Sequence, residues 1–168
     1  MTPRKSAVHR VGQAQPSGPP TGRPHLVFAR DDAAASGKQP DKPARILVVE
    51  DDFLVALEME SALTDAGFAV AGVATTGEDA IELALTERPR LAVMDVRLAG
   101  RRDGIDTALQ LFAEMGIRSI FATAHQDEQA RRRAAPAVPL GWLQKPYTMT
   151  SLIGLVRQAL DELDKDGR

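Results

Sequence analysis

From residue 44 onward the chain alternates short, unbroken apolar runs with stretches whose apolar positions recur every three or four residues. The first run, Ile46-Leu47-Val48-Val49, has no polar interruption, as in a strand covered on both faces. Val55, Met59, Ala62, Leu63 and Ala66 then keep helical spacing, and Gly67 is placed to stop that helix. Ala69–Ala74 reads as a second strand. Thr76 with Asp79 reads as a capping box for a helix running to about Glu87, before Pro89. Residues 91–94 form a third strand that ends at Asp95, and Ile105, Ala108, Leu109, Phe112 and Met115 mark a helix closed by Gly116. Arg118–Thr123 is the fourth strand, followed by a short polar helix over 127–134 that ends before Pro136. Gly141–Gln144 is the fifth, and Leu152, Leu155, Val156, Ala159 and Leu160 carry the last amphipathic helix. Strand–helix pairs in this order predict an α/β fold with one doubly wound, five-stranded parallel sheet.

Residues 1–43 show no such period. They hold seven of the eleven prolines and four of the thirteen glycines, among Ser, Thr, Gln and charged residues. That composition buries too little apolar surface to offset its ordering entropy, so a disordered arm is expected, with Leu26-Val27-Phe28 as a docking segment in the alternative reading. The arm is followed by a domain over 44–163, with a short tail over 164–168. Net charge is −2, but the arm is basic, with seven Lys or Arg against Asp31, Asp32 and Asp41, and the rest is acidic. Nothing here suggests nucleic-acid binding by bulk electrostatics. The absence of cysteine excludes disulfides, zinc–thiolate sites and thiol catalysis. No apolar run approaches the ~20 residues that span a bilayer, so no membrane insertion and a cytoplasmic location are expected.

Chemistry enters at the strand ends. Ligands of doubly wound sheets sit beyond the carboxyl ends of the strands, where this chain places Glu50-Asp51-Asp52, Asp95, Thr123 and Lys145-Pro146. At ~4 Å and an effective dielectric near 20, each like-charged carboxylate pair costs roughly 4 kcal/mol, which a divalent cation relieves. Hard oxygen ligands favour Mg2+. Asp51 and Asp95 read as direct ligands, Glu50 as the holder of a metal-bound water, and the backbone carbonyl of Arg97 as the remaining protein contact. Phosphoryl transfer to a carboxylate needs an exposed oxygen nucleophile, a cation and donors for the phosphoryl oxygens. Asp95 supplies the nucleophile, Lys145 the positive charge and Thr123 a hydroxyl donor. Pro146 is expected to hold Lys145 through a cis peptide.

These pieces resemble the receiver domain of two-component response regulators: ILVVEDD at 46–52, LAVMDVRL at 91–98, DGI at 103–105, FATA at 121–124 and LQKPY at 143–147. Each is weak alone and together they are specific. The resemblance, over about residues 44–163, implies a flavodoxin-like (βα)5 sheet. It also implies that Asp95 is the phosphoacceptor, Glu50 and Asp51 the acidic pocket, Thr123 the switch hydroxyl, Lys145 the phosphate-sensing lysine and Trp142 the switch aromatic. A sensor histidine kinase or histidine phosphotransfer protein would be the donor. A protein partner, or a second copy meeting it through the fourth helix, fifth strand and fifth helix, would take the output, since no output domain is expected after the last helix. The chain departs from the family in the segment after Asp95, where Arg97-Leu98-Ala99-Gly100-Arg101-Arg102 replaces a shorter path with a Met-Pro pair. A Leu-x-Gly version of that segment is similar to a subset of the family.

Rival readings are weaker on particular residues. An aspartate-nucleophile phosphatase needs a second acid two residues after the nucleophile, where this chain has Arg97. A nucleotide or flavin module needs a glycine-rich turn after the first strand, and direct DNA binding a helix-turn-helix. Asp103-Gly104 reads as a turn and cap for the third helix. A lone surface His125 is not assigned a role, and Arg131-Arg132-Arg133, pointing in different directions on a helix, reads as solvated surface or partner contact.

Overall fold

The computed structural model describes residues 43–124 and 128–167. The arm expected over 1–43 therefore lies outside the described residues apart from Pro43, as does His125. The elements are β1 (Arg45–Val49), α1 (Phe53–Asp65), β2 (Ala69–Ala74), α2 (Gly77–Glu87), β3 (Leu91–Asp95), α3 (Gly104–Met115), β4 (Arg118–Thr123), α4 (Glu128–Ala134), β5 (Gly141–Gln144) and α5 (Met149–Lys165). All strand pairs are parallel, in the order β2-β1-β3-β4-β5. This is the flavodoxin-like doubly wound sheet predicted above.

Side-chain alternation divides the core in two. Ile46, Val48, Leu91, Val93, Ile120, Ala122 and Leu143 meet Met59 and Leu63 of α1 and Leu152, Val156 and Ala159 of α5. Leu47, Val49, Ala92, Met94 and Phe121 meet Ala80 and Ala84 of α2, Ile105, Ala108 and Leu111 of α3, and Ala130 and Ala134 of α4. Helices on both faces explain why β1 and β3 read as continuous apolar runs.

The caps fall where side-chain chemistry requires them. Asp52 Oδ1 accepts from the Leu54 and Val55 N–H groups at 2.9 and 3.2 Å, Thr76 Oγ1 from Asp79 at 3.2 Å, and Asp103 Oδ1 from Asp106 at 2.9 Å. Gly116 ends α3 with φ +68°, a left-handed backbone that glycine adopts without a Cβ penalty. Helix α5 runs to Lys165, into the segment expected as a short tail over 164–168. Buried Arg118 of β4 holds its last turns, donating to Glu162 Oε1 at 2.6 Å and Asp166 Oδ2 at 3.1 Å. The Arg118 Nε also donates to the Val138 carbonyl at 2.7 Å, steadying a β-branched residue at φ +48° that nothing in the sequence pattern marked.

Two leucines of α1 separate core from surface. Leu63 is fully buried and Leu57 is exposed, so Leu63→Ala should lower unfolding free energy by about 2–5 kcal/mol and Leu57→Ala by less than about 0.5 kcal/mol in urea titrations.

Candidate functional site

The strand order reverses between β1 and β3, and Glu50 and Asp95 stand at the carboxyl ends of those two neighbours. This is the crevice in which doubly wound sheets bind ligands. Register sets their level: Val49 pairs with Met94, so Glu50 and Asp95 follow one step later on adjacent strands. Carboxylate oxygens of Glu50, Asp51 and Asp95 lie within 4.8 Å of one another. Glu50 is 1% exposed and Asp95 7%, whereas Asp51 faces solvent.

Lys145 closes the group. Its Nζ donates to Asp95 Oδ2 at 2.6 Å and to Glu50 Oε2 at 2.7 Å. The backbone positions it, since the Lys145 N–H donates to the Thr123 carbonyl at 2.9 Å; the Lys145–Pro146 peptide that follows is cis. Three carboxylates and one ammonium leave a formal charge of −2. Hard oxygen donors with that residual charge fit a divalent cation such as Mg2+.

Electrostatics follow burial. Burial pushes the Glu50 carboxyl above its ordinary value and Asp95 adds to the rise, while the hydrogen bond and charge of Lys145 oppose it. Burial pulls the Lys145 ammonium down, but its hydrogen bonds and charge interactions with Asp95 and Glu50 more than offset this, so its pKa is raised. Lys145 is therefore cationic at any physiological pH.

The other expected residues occupy distinct places. The Arg97 N–H donates to Asp95 Oδ1 at 3.0 Å, fixing the start of the segment that follows the strand. Thr123 is buried at the end of β4, one residue past the Ala122 that pairs with Asp95. Trp142 pairs with Phe121 and Gln144 with Thr123, so alternation puts Trp142 on the same sheet face as Thr123. Its indole stacks on Phe121 with centroids 4.7 Å apart, and the Arg131 guanidinium lies 5.0 Å from its centroid. Asp103 caps α3 and stays out of the carboxylate group.

Gly104 does more than the turn and cap that the Asp103-Gly104 pair suggests. A Cβ there would stand 1.8 Å from the Asp95 carbonyl oxygen, and the Gly104 N–H donates to the Val96 carbonyl at 2.9 Å. Glycine thus lets α3 begin against the backbone that carries Asp95. The local signal is the Asp-Gly pair, and turns use that pair everywhere. The intervening segment is also held by a parallel bridge between Ala99 and Thr76.

A family model described as "Response regulator receiver domain" matches residues 46–157. The chain is 32% identical over 118 residues to the "Transcriptional regulatory protein PdtaR" of Mycobacterium tuberculosis, covering 70% of this chain and 57% of that one. It is 30% identical over 122 residues to the "Phyllosphere-induced regulator PhyR" of Methylorubrum extorquens, covering 71% and 45%. It thus spans about half the length of these curated relatives. Among solved structures, a signal receiver domain of a modulated diguanylate cyclase from Desulfovibrio desulfuricans superposes with TM-score 0.69 at 33% identity, covering 74% of this chain and 98% of that one.

The raised Glu50 carboxyl gives a signed expectation for metal-free protein. The folded state holds the Glu50 proton to higher pH than the unfolded chain, so this group contributes stability that is lost as pH rises from 4.5 through its folded value. The stability of wild type relative to Glu50→Gln, from urea titrations in chelator at successive pH values, should fall across that window.

Proposed function

This chain belongs to the response regulator receiver domain family, and from that membership we propose that Asp95 accepts a phosphoryl group from a sensor histidine kinase or a histidine phosphotransfer protein. The observation that carries the reading is the meeting of Asp95, Glu50, Asp51 and Lys145 at one sheet edge. An Asp95 carboxylate oxygen attacks phosphorus and forms the acyl phosphate. The N–P bond of the phosphohistidine breaks, and its electron pair returns to the imidazole, which takes up a proton. Lys145, now bound to Asp95 Oδ2, keeps its charge and turns to a phosphoryl oxygen. Mg2+, held by Asp51, Asp95 and the Arg97 carbonyl with Glu50 beyond them, would supply further positive charge to those oxygens. The rival phosphatase lacks its second acid, because position 97 is arginine.

The switch follows from charge. A phosphoryl group of about −1.5 to −2 draws the Thr123 hydroxyl toward it, and Trp142, on the same face, moves into the space released. The surface of α4, β5 and α5 then changes and binds a downstream protein or a second copy. Taking that surface from one per cent to ninety-nine per cent active requires about 5.5 kcal/mol of preference.

The face that receives the donor is apolar. Phe53, Leu54 and Leu57 on the first turns of α1 are 70%, 73% and 50% exposed, immediately after the acidic segment. Exposed apolar side chains grouped in this way suit a partner helix.

With a small acyl phosphate and Mg2+, wild type should gain one hydroxylamine-labile phosphoryl group and Asp95→Asn none, by mass spectrometry; equal labelling of the two rejects Asp95 as acceptor. Leu54→Glu should leave that labelling unchanged and slow transfer from a phosphorylated histidine kinase by about tenfold. Equal rates from the kinase would remove α1 from the donor interface.

A further inference from the structure

Helix α4 is tied to its neighbours by two arginines that the mechanism above does not employ. Arg133 donates to Asp103 Oδ2 at 2.8 Å and to Asp106 Oδ1 at 3.1 Å, clipping α4 to the first turn of α3. Asp103 ends the segment that begins at Asp95, and its other oxygen caps α3. The clip therefore reaches from α4 to the far end of the acceptor segment. Arg131, on another side of the helix, lies over Trp142, which stacks on Phe121. Among the described residues Arg132 pairs within α4, with Glu128 one turn earlier.

These contacts matter because α4 buries little apolar side chain among the described residues. It is seven residues long and the side chains it buries are Ala130 and Ala134. Two methyl groups bury a small apolar area, so little hydrophobic free energy favours one position of the helix over a nearby one. Polar contacts then decide where it rests.

We propose that Arg133 is a positioning residue that holds α4 in its unphosphorylated place by gripping the end of the acceptor segment, with Arg131 completing the hold over Trp142. This rests on the phosphoacceptor reading of Asp95. A contact made only in the resting arrangement lowers affinity for the phosphoryl group by the same factor by which it favours that arrangement. Arg133, Asp103 and Asp106 are each partly exposed, so the factor is that of a solvent-screened pair, about twofold to fivefold.

The test is calorimetric titration of the full chain with beryllofluoride, a non-transferable phosphoryl mimic, in Mg2+. Arg133→Ala should bind about twofold to fivefold more tightly than wild type, and Asp106→Asn, which leaves the α3 cap intact, should shift the same way. Arg133→Lys should restore most of the wild-type value. Arg132→Ala should match wild type, and higher ionic strength should narrow the gap between wild type and Arg133→Ala. Unchanged or weaker binding by both Arg133→Ala and Asp106→Asn overturns the clip, as does equal tightening in Arg132→Ala. Should wild type bind no better than Asp95→Asn, the phosphoacceptor reading itself falls; should wild type bind and the clip variants match it, only the role of Arg133 does.

Discussion

The Lys145 ammonium lies between two buried carboxylates, Glu50 and Asp95, and the functional geometry of the molecule depends on that contact. Without it the two acids would face each other in a site that water barely reaches, and Coulomb repulsion would favour protonation or separation. The three groups come from the ends of β1, β3 and β5, with β4 lying between β3 and β5. A long, flexible stem ending in a compact charge suits that reach. One ammonium does not neutralise the group. The remaining negative charge suits a divalent cation, and in the proposed chemistry that cation and Lys145 together would receive the phosphoryl group.

Holding such charges together requires a scaffold that cannot yield. The sheet supplies it through two apolar layers, one closed by α1 and α5 and the other by α2, α3 and α4. Close-packed interiors resist small displacements, so side chains at strand ends inherit the precision of the strands. Gly104 extends this rigidity beyond the strand. Its missing side chain lets α3 start in contact with the Asp95 carbonyl, and the Arg97 N–H then orients the Asp95 carboxylate from the same segment.

The helices flanking β5 are held unequally. Helix α5 buries Leu152, Val156, Ala159, Leu160 and Leu163 along seventeen residues, and Arg118 ties its last turns to β4. Helix α4 buries two alanines. Local stability tracks buried apolar contact, so α4 belongs to the low end of the range within this fold. Trp142, stacked on Phe121 and approached by the Arg131 guanidinium, sits where the firm sheet meets that weakly held helix. A change at the acidic edge that displaces Trp142 would be felt first in α4.

The sequence by itself determined the order and kind of the elements, because unbroken apolar runs and helical periods are local signals that the buried sheet and its helices obey. It also brought the strand-end residues into view, since parallel sheets place such ends on one edge. Distances lay beyond it. That Lys145 bonds to Glu50 as well as Asp95 follows from register across several strands, and no single segment encodes that. Gly104 looked like a turn glycine because the Asp95 carbonyl it accommodates arrives from another element. The three arginines of α4 were legible as divergent, yet only tertiary packing sent Arg131 to Trp142, Arg132 to Glu128 and Arg133 to α3. Periodicity records which face a residue shows, whereas its partner depends on what the rest of the chain brings to that face.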